Sequence, residues 1–243
     1  MGFSEIYNPK KIQYSAAAAR VCHYFLITEL MDITWYGYSC FSLKTKDGSL
    51  VIDPYKDVGL KLPNLKPSAV IISDENTPEL SAAAVGDSPK VLTWAGEYEV
   101  AGIAITAMMH GASAEEKKGA KKAMIYTFDA DGLKVCYISD MSVPINDDLM
   151  ESIGDVDVLM VPVGKGKTNI EEIHTIIEEI EPRIVIPVFY KTPGLKAEAG
   201  DLEPFLKKTG LKDVSPKDKF TVNTRSELPQ EKTEFVILAP QNA

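Results

Sequence analysis

A run of polar side chains, "SDENTPEL" at residues 73–80, directly follows the apolar residues 68–72, where a buried strand is expected to end. Asp74, Asn76 and Glu79 in this run carry carboxylate and amide oxygens, which are ligands that Mg²⁺, Mn²⁺ and Ca²⁺ accept. The run contains no histidine, the nitrogen ligand typical of zinc sites. Ligation of a cation by oxygen atoms is therefore one interpretation of this segment.

The start of a helix is the other interpretation of the same run. Ser73 or Asp74 can serve as the N-cap residue, because their side-chain oxygens accept hydrogen bonds from backbone N–H groups of the first turn. Glu75 and Glu79 would then lie near the positive end of the helix dipole, with Pro78 early in the helix. Both interpretations remain open at the level of the sequence.

Two further residues are candidates because each ends a predicted strand. His110 closes "YEVAGIAITAMMH", and Asp140 closes "DGLKVCYISD". A lone histidine is commonly a hydrogen-bonded loop residue, and an aspartate at a strand end can cap the loop that follows. Since loops at strand ends often carry functional side chains, both residues remain candidates for a site.

Two lysines, Lys165 and Lys167, separate the apolar run "VDVLMVPV" from an amphipathic helix that contains His174. Backbone N–H groups at the helix start, together with two ammonium groups, can hold an anion such as phosphate. Solvated lysines in a glycine-rich turn are the alternative interpretation. His174 lies on or near the packed side of its helix and is interpreted as structural.

Short strands are predicted to position these groups in the first half of the chain. "DITWYGYSCFSL" and "YEVAGIAITAMMH" are each predicted as a strand, and Asp47-Gly48 and residues 129–132 predict hairpin turns. In the second half, buried strands alternate with helices. An isoleucine stripe marks one helix that ends before Pro182, and a second helix is predicted at residues 201–209 with Gly210 as its C-cap. This order predicts two mixed sheets packed face to face, with helices outside.

The domain organisation predicted from the sequence is simple. Residues 31–243 are expected to form a single domain, because no linker or repeat interrupts them. Residues 1–30 are expected to be an N-terminal extension that is poorly ordered or lies upstream of the true start. Arg20, His23 and Glu29 interrupt its apolar stretch, so it predicts neither a membrane span nor a signal peptide.

Composition limits the class of partner. The formal net charge of -9 and the pI near 5.0 argue against a protein that binds nucleic acid through its phosphates. Three scattered cysteines, Cys22, Cys40 and Cys136, fit a reducing compartment, so a cytoplasmic protein is expected. A small-molecule ligand and a homo-oligomer formed through an exposed edge strand remain open, whereas no membrane partner is expected.

The segments "ITWYGYSCFSL", "LVIDPY", "AVIISDENTPEL", "AGEYEVAGIAI", "DGLKVCYISDM", "GDVDVLMVPVG" and "PRIVIPVFY" resemble, in order and spacing, the metallo-β-lactamase-fold hydrolases. The branch they resemble includes ascorbate-6-phosphate lactonase and many Zn-dependent hydrolases. The resemblance covers residues 31–240. It implies an α/β fold, a four-layer αββα sandwich of two mixed β-sheets flanked by helices. It also implies one or two metal ions that convert water into a hydroxide nucleophile.

The family's metal loop has the pattern His-x-His-x-Asp-His. By order and spacing, Asp74 and Asn76 stand at its first two histidine positions. Pro78 stands at the aspartate position, and Glu79 at that of the third histidine. The residue types at all four matched positions of this loop therefore differ from those of the family pattern.

His110 and Asp140 match the family's later histidine and its bridging aspartate, and they keep the residue type. Phe189 replaces the final histidine, and Tyr38 replaces the histidine of a "GHSCF" motif near the site. The pocket implied by the resemblance is lined by Tyr38, Asp53, Phe189 and Tyr190. Most of the imidazole ligands that zinc requires are therefore missing.

Two functions follow from this degenerate metal site. The preferred one is a pseudoenzyme: a non-catalytic binding protein without a cofactor, whose pocket binds a small molecule or whose surface binds a partner. The alternative is a metal-dependent hydrolase of a lactone or phosphoester, with an altered, oxygen-rich site for a divalent metal, either Zn, Mn, Mg or Ca. Its ligands would be Asp74, Asn76, Glu79, His110 and Asp140. An RNA-cleaving enzyme ranks last, because it needs intact metal ligands and this chain is acidic.

Overall fold

Two β-sheets form the framework of the protein in a computed structural model that describes residues 31–86, 90–111, 122–130, 132–140, 145–166 and 169–242. The first sheet has six strands in the order β12-β1-β2-β3-β4-β5. Their bounds are β1 Met31–Trp35, β2 Phe41–Thr45, β3 Gly48–Ile52, β4 Ala69–Ile71, β5 Lys90–Leu92 and β12 Phe220–Val222. The strands β3, β4 and β5 run parallel, and the remaining neighbours in this sheet are antiparallel.

The second sheet has seven strands in the order β13-β11-β10-β9-β8-β7-β6. Their bounds are β6 Gly96–Val100, β7 Ile103–Gly111, β8 Lys122–Ala130, β9 Leu133–Ile138, β10 Val158–Pro162, β11 Ile184–Val188 and β13 Glu234–Phe235. The strands β6 to β9 form an antiparallel meander, and β9, β10, β11 and β13 are parallel. The prediction of two mixed sheets is confirmed.

Three α-helices accompany the sheets in the described part of the chain: α1 Asp147–Ile153, α2 Ile170–Ile180 and α3 Glu203–Thr209. The predicted isoleucine stripe is confirmed in α2, where Ile173 and Ile177 are buried. Gly210 caps α3 in the left-handed conformation, as predicted. None of the described helices is long and apolar enough to cross a membrane.

The core has two parts. The larger part fills the space between the sheets, where Phe41 of the first sheet and Tyr137 of the second meet edge to face at 4.9 Å. The smaller part covers the other face of the first sheet and includes Tyr38, Val70 and Phe189. A 3₁₀ turn at Ala82–Val85 contributes Val85 to this smaller part. The candidate site lies beside the smaller part, since it shares Tyr38 and Phe189.

Two predicted strands are in fact hairpins. Residues 32–43 are divided between β1 and β2 by a turn in which Tyr36 N–H donates to Cys40 O at 2.8 Å. Residues 98–110 are divided between β6 and β7 by Ala101 and Gly102, which have φ angles of 55° and 70°. Both turns use left-handed backbone, which Gly102 adopts without steric cost. The hairpin predicted at Asp47-Gly48 is confirmed, with β2 and β3 antiparallel on either side.

Candidate functional site

The candidate residues meet at the carboxyl ends of strands from both sheets. Asp53 follows β3, Ser73 and Asp74 follow β4, Asp140 follows β9, and Phe189 follows β11. Parallel strands bring their carboxyl ends to one edge of a sheet, where α/β proteins commonly bind ligands. The order of strands therefore explains why residues far apart in the sequence share one site.

Asp53 is a buried carboxylate that receives hydrogen bonds from both sheets. Its Oδ1 accepts from Ser73 N at 2.7 Å, and its Oδ2 accepts from Ser73 Oγ at 2.6 Å. Tyr137, on the second sheet, donates its hydroxyl to the same Oδ2 at 3.3 Å. Burial raises the pKa of Asp53, although these bonds and the charge of Lys165 oppose the rise. Asp53 thus ties the two sheets together beneath the loop of residues 73–80.

The loop of residues 73–80 is a series of turns, so the predicted helix start is not formed. Asp74 Oδ1 accepts from Asn76 N at 2.9 Å and from Asn76 Nδ2 at 3.2 Å. Its Oδ2 accepts from Thr77 Oγ1 at 2.8 Å, and Thr77 N–H donates to the Asp74 carbonyl at 3.2 Å. A short acidic side chain that binds the backbone two residues ahead stabilises a turn in place of a helix.

The pKa of Asp74 is lowered by this network. Burial alone would raise it, but the hydrogen bonds from Asn76 and Thr77 and the charge of Lys165 together outweigh burial. Both carboxylate oxygens are therefore engaged in holding the loop. Asp74 acts here as the residue that shapes the turn.

Asn76 and Glu79 lie at the outside of the loop. Asn76 is exposed, and its amide is turned toward Asp74. Glu79 is half-buried, and its backbone carbonyl accepts from Lys56 N at 2.8 Å. Burial, together with the negative charges of Glu79 and Asp53, raises the pKa of Tyr38 to about 12. The Tyr38 hydroxyl therefore stays protonated at neutral pH and can act as a hydrogen-bond donor, but not as a base.

The most informative contact of the site joins Lys165 to Asp140. The Lys165 ammonium lies 3.8 Å from Asp140 Oδ2 and donates to the Ser139 carbonyl at 2.9 Å. It also lies 5.7 Å from the centre of the Phe189 ring, within the range of a cation–π contact. Asp140 is buried, whereas about a fifth of the Lys165 side chain is exposed, at 20%. A cation supplied by the chain therefore stands beside Asp140, which the sequence resemblance predicts to be the counterpart of the family's bridging ligand.

Gly164 fixes the backbone of Lys165. Its N–H donates to Phe189 O at 2.8 Å, and its carbonyl accepts from Gly200 N at 2.8 Å. A Cβ atom at residue 164 would lie 2.7 Å from both Phe189 O and Gly200 O, which is closer than such atoms approach. Glycine is therefore required here, and it seats Lys165 next to Phe189. This placement differs from the anion site considered for Lys165, because the ammonium contacts a carboxylate; Lys167 lies outside the described residues.

Phe189 and Tyr38, the predicted counterparts of two family histidines, pack against each other. Their ring centres are 4.4 Å apart, and Phe189 N–H donates to the Tyr38 carbonyl at 3.0 Å. Tyr38, Asp53 and Phe189 have φ angles of 52°, 49° and 53°. Non-glycine residues with such left-handed backbone concentrate at functional sites. Tyr190, in contrast, packs on Trp35 at 4.6 Å in the larger core and donates its hydroxyl to Leu238 O at 3.0 Å.

His110 is buried on β7, opposite Ala123 of β8. The pairing of β8 with β9 continues to Ser139, whose N–H donates to Met124 O at 2.9 Å. Extending this register by one pair places Asp140 at the level of Ala123. His110 and Asp140 therefore flank the same residue of β8, with backbones roughly 10 Å apart because adjacent strands are about 4.8 Å apart.

The donors do not fit a zinc ion. Within the described residues, no three His, Cys, Asp or Glu side chains are grouped in a way that could hold a metal. Asp140 faces an ammonium, both oxygens of Asp74 serve its own turn, and Phe189 has no ligand atom. Zinc sites need three or four nitrogen, sulfur or carboxylate donors directed at one point. The donors in the described part of the chain therefore do not assemble into a zinc site.

Three residues that the sequence did not single out for these roles complete the site. Ser73 binds Asp53 through both its backbone and its hydroxyl, Tyr137 reaches Asp53 from the other sheet, and Lys165 contacts Asp140. The position of Ser73 directly after a buried strand was a usable signal. The other two contacts depend on how the sheets face each other, which no local pattern reveals.

Comparison with known proteins agrees with this architecture. The family model described as the β-lactamase superfamily domain matches residues 32–189. A UPF0173 protein of Pyrococcus abyssi is 29% identical over 220 residues, which cover 79% of this chain and 100% of that protein. A UPF0173 protein of Pyrococcus furiosus is 27% identical over 215 residues, again covering 79% of this chain and 100% of that protein.

Solved structures show the same fold. A protein of Thermotoga maritima described as a Zn-dependent hydrolase of the metallo-β-lactamase superfamily superposes with a TM-score of 0.67 at 26% identity, covering 86% of this chain and 98% of its own. Igni18, a metallo hydrolase of Ignicoccus hospitalis, gives 0.58 at 19% identity and covers 80% of this chain and 99% of its own. The family model spans more than half of the chain. The chain therefore belongs to the metallo-β-lactamase superfamily.

Proposed function

We propose that this protein is a non-catalytic, metal-independent binding member of the superfamily, which binds a small molecule at the carboxyl ends of its strands. The contact between the Lys165 ammonium and Asp140 carries this proposal, because it places a cation of the chain beside a residue that the family uses as a metal ligand. Hydrolysis in the family depends on a metal to make hydroxide. Among the described residues of the site, Tyr38 keeps its proton and Asp53 is buried, so neither is placed to activate water in its stead.

The charge of the site limits the class of ligand. The carboxyl groups of Asp74 and Asp140 and half-buried Glu79 near Tyr38 make the site acidic, and Lys165 contributes a positive charge. An anionic phosphoester would be repelled where no metal offsets these charges. The proposed ligand is therefore neutral or cationic, with its polar part at half-buried Glu79 and its apolar part toward Tyr38 and Phe189.

Metal content tests the proposal directly. Untagged protein is incubated with Zn²⁺, Mn²⁺ or Mg²⁺, desalted thoroughly and measured by plasma mass spectrometry. We expect far less than one equivalent of each metal. One or two equivalents, lost when His110 and Asp140 are both replaced by alanine, would overturn the proposal in favour of an oxygen-rich metallohydrolase and would justify a screen of lactones and phosphoesters.

A melting-temperature screen tests the ligand class. Amines such as putrescine and choline are compared with anions such as citrate and inorganic phosphate. We expect any rise in melting temperature among neutral and cationic compounds, with the rise reduced in Glu79→Gln. Stabilisation by anions alone would contradict the proposed charge preference.

A further inference from the structure

The strand β6 is an open edge of the second sheet. It pairs with β7 and, among the described strands, has no neighbour on its other side. Val100 and Ile103 flank the two-residue turn and form a hydrogen-bonded pair, and such pairs recur at every second position of an antiparallel ladder. The backbone N–H and C=O groups of Glu97 and Glu99 are therefore directed away from β7. An extended peptide can bind to such groups as an added strand.

The side chains of β6 alternate between charged and apolar. Glu97 and Glu99 are exposed, whereas Tyr98 and Val100 are half-buried and pack against the larger part of the core. Opposite charges directly across two strands stabilise their pairing, and like charges destabilise it. A peptide that fits this edge therefore places basic side chains opposite the two glutamates and an apolar side chain opposite Tyr98.

The β6 strand of a second copy fits this edge poorly. In an antiparallel pair of β6 strands centred on Tyr98, Glu97 of each copy would lie opposite Glu99 of the other, so both of these cross-strand pairs would be repulsive. The net charge of -9 adds repulsion between copies. The same charges attract a basic peptide.

Two exposed apolar side chains lie at one end of this edge. Trp94 precedes β6 and is 67% exposed, and Met109 on β7 is 40% exposed. The register pairs Gly96 with Ala107, so two further steps bring Trp94 to the level of Met109. The Tyr98 hydroxyl donates to the Trp94 carbonyl at 3.0 Å, which fixes the chain where it enters β6. Tryptophan and methionine are enriched at binding interfaces, where they bury a large apolar area.

We propose that β6 binds an extended peptide of alternating basic and apolar residues as an additional antiparallel strand. The peptide's basic side chains pair with Glu97 and Glu99, and its apolar side chains meet Tyr98 and, at one end, Trp94 and Met109. The partner is thus a protein segment of this chemistry. These residues are separate from those of the proposed small-molecule site, so each function can fail without the other.

A labelled heptapeptide of alternating valine and lysine, measured by fluorescence anisotropy, tests the proposal. We expect saturable binding that is about tenfold weaker in the double variant Glu97→Gln with Glu99→Gln, because two cross-strand ion pairs are lost. Glu179→Gln with Glu231→Gln removes the same charge from exposed residues elsewhere and should bind like wild type. Equal weakening in the two double variants, or no saturable binding to wild type, would overturn the proposal.

Backbone methylation of the peptide separates an added strand from simple attraction between charges. The lysines opposite the glutamates direct their backbone N–H groups toward β6, and the valines direct theirs away. Methyl groups on the lysine backbone nitrogens should therefore abolish binding, whereas methyl groups on the valine nitrogens should be tolerated. Equal binding of the two methylated peptides would refute strand addition, since both keep every charge.

Tryptophan fluorescence reports on the end of the edge. The chain has two tryptophans, and Trp35 is fully buried, so Trp94 is the residue whose emission can respond to a bound peptide. The heptapeptide should shift the emission to shorter wavelength in wild type and leave it unchanged in Trp94→Phe. Saturable binding without any shift in wild type would show that the peptide does not reach Trp94 and would contradict the proposed position.

Discussion

The ring of Phe189 lies 4.4 Å from the ring of Tyr38, and the Phe189 amide donates to the Tyr38 carbonyl at 3.0 Å. The resemblance in sequence predicts that both residues stand at positions where the family has histidines near its metal. An aromatic pair and a backbone hydrogen bond thus join the turn between β1 and β2 to the end of β11. These two residues therefore fix each other's position through ring packing and a backbone hydrogen bond.

Replacing Phe189 with leucine should lower the free energy of unfolding by about 1–2 kcal/mol, because both the ring pair with Tyr38 and the cation–π contact with Lys165 are lost. Urea unfolding measures the change. The same substitution in a Lys165→Met background should cost less, since the cation is already absent. Equal losses in the two backgrounds would show that the ammonium does not interact with the ring.

Replacing Asp74 with alanine should lower the free energy of unfolding by about 0.5–2 kcal/mol, which is the usual cost of removing a side chain that caps backbone N–H groups. Glu75→Ala, on an exposed residue of the same loop, is the matched control and should change stability by less than about 0.5 kcal/mol. If the two variants unfolded at the same urea concentration, the hydrogen bonds of Asp74 would contribute nothing to stability.

The cost of Asp74→Ala should depend on pH. The folded-state pKa of Asp74 is lowered, so its stabilising effect is fully present above the unfolded-state pKa of about 3.9 and is lost as pH falls through the lower folded-state value. Urea midpoints of wild type and variant should therefore differ most near pH 6 to 7 and converge toward about pH 3. A difference that grows on acidification would contradict the lowered pKa.

Cys40 should resist thiol reagents in the native protein. Burial first, and then the charge of Asp53, raise the pKa of Cys40 well above its usual value, so the reactive thiolate is scarce. Cys136, which is buried in the larger core with its pKa raised to about 12, is the internal comparison. Peptide mass spectrometry after alkylation should find both unmodified until urea unfolds the protein. Rapid labelling of Cys40 alone would reveal local opening beside Asp53.

Much of the fold could be predicted from local patterns. Alternating and apolar runs located the strands, Asp47-Gly48 located a hairpin, and the isoleucine stripe located α2, because each pattern reflects burial of one side of an element. The turn within residues 32–43 was missed because the residues around it are strand-like in composition, although Gly37 was a usable turn signal. Helix α1 was also missed, although Asn146 as N-cap and Gly154 after its last residue were usable signals.

The site was less predictable than the fold. The order of the predicted strands located Asp74, Asp140 and Phe189 near strand ends, where the structure has them. It could not show which side-chain atoms are in contact there. The contact of Lys165 with Asp140 joins two neighbouring parallel strands through a loop closed by Gly164 and Gly200. The contacts of Tyr190 could not be predicted either, because successive residues of an extended segment point to opposite faces of the sheet. Phe189 lies in the smaller part of the core and Tyr190 in the larger part.

Lys165 is covalently part of the chain, so every folded copy carries one positive charge beside Asp140. A bound ion would depend on supply, would compete with other ions and would be removed by chelators. Each chain carries one Lys165, which is present as soon as translation is complete and cannot be exchanged for a different ion. The positive charge that Lys165 brings to this site is therefore fixed by the sequence and does not vary with the metal content of the surroundings.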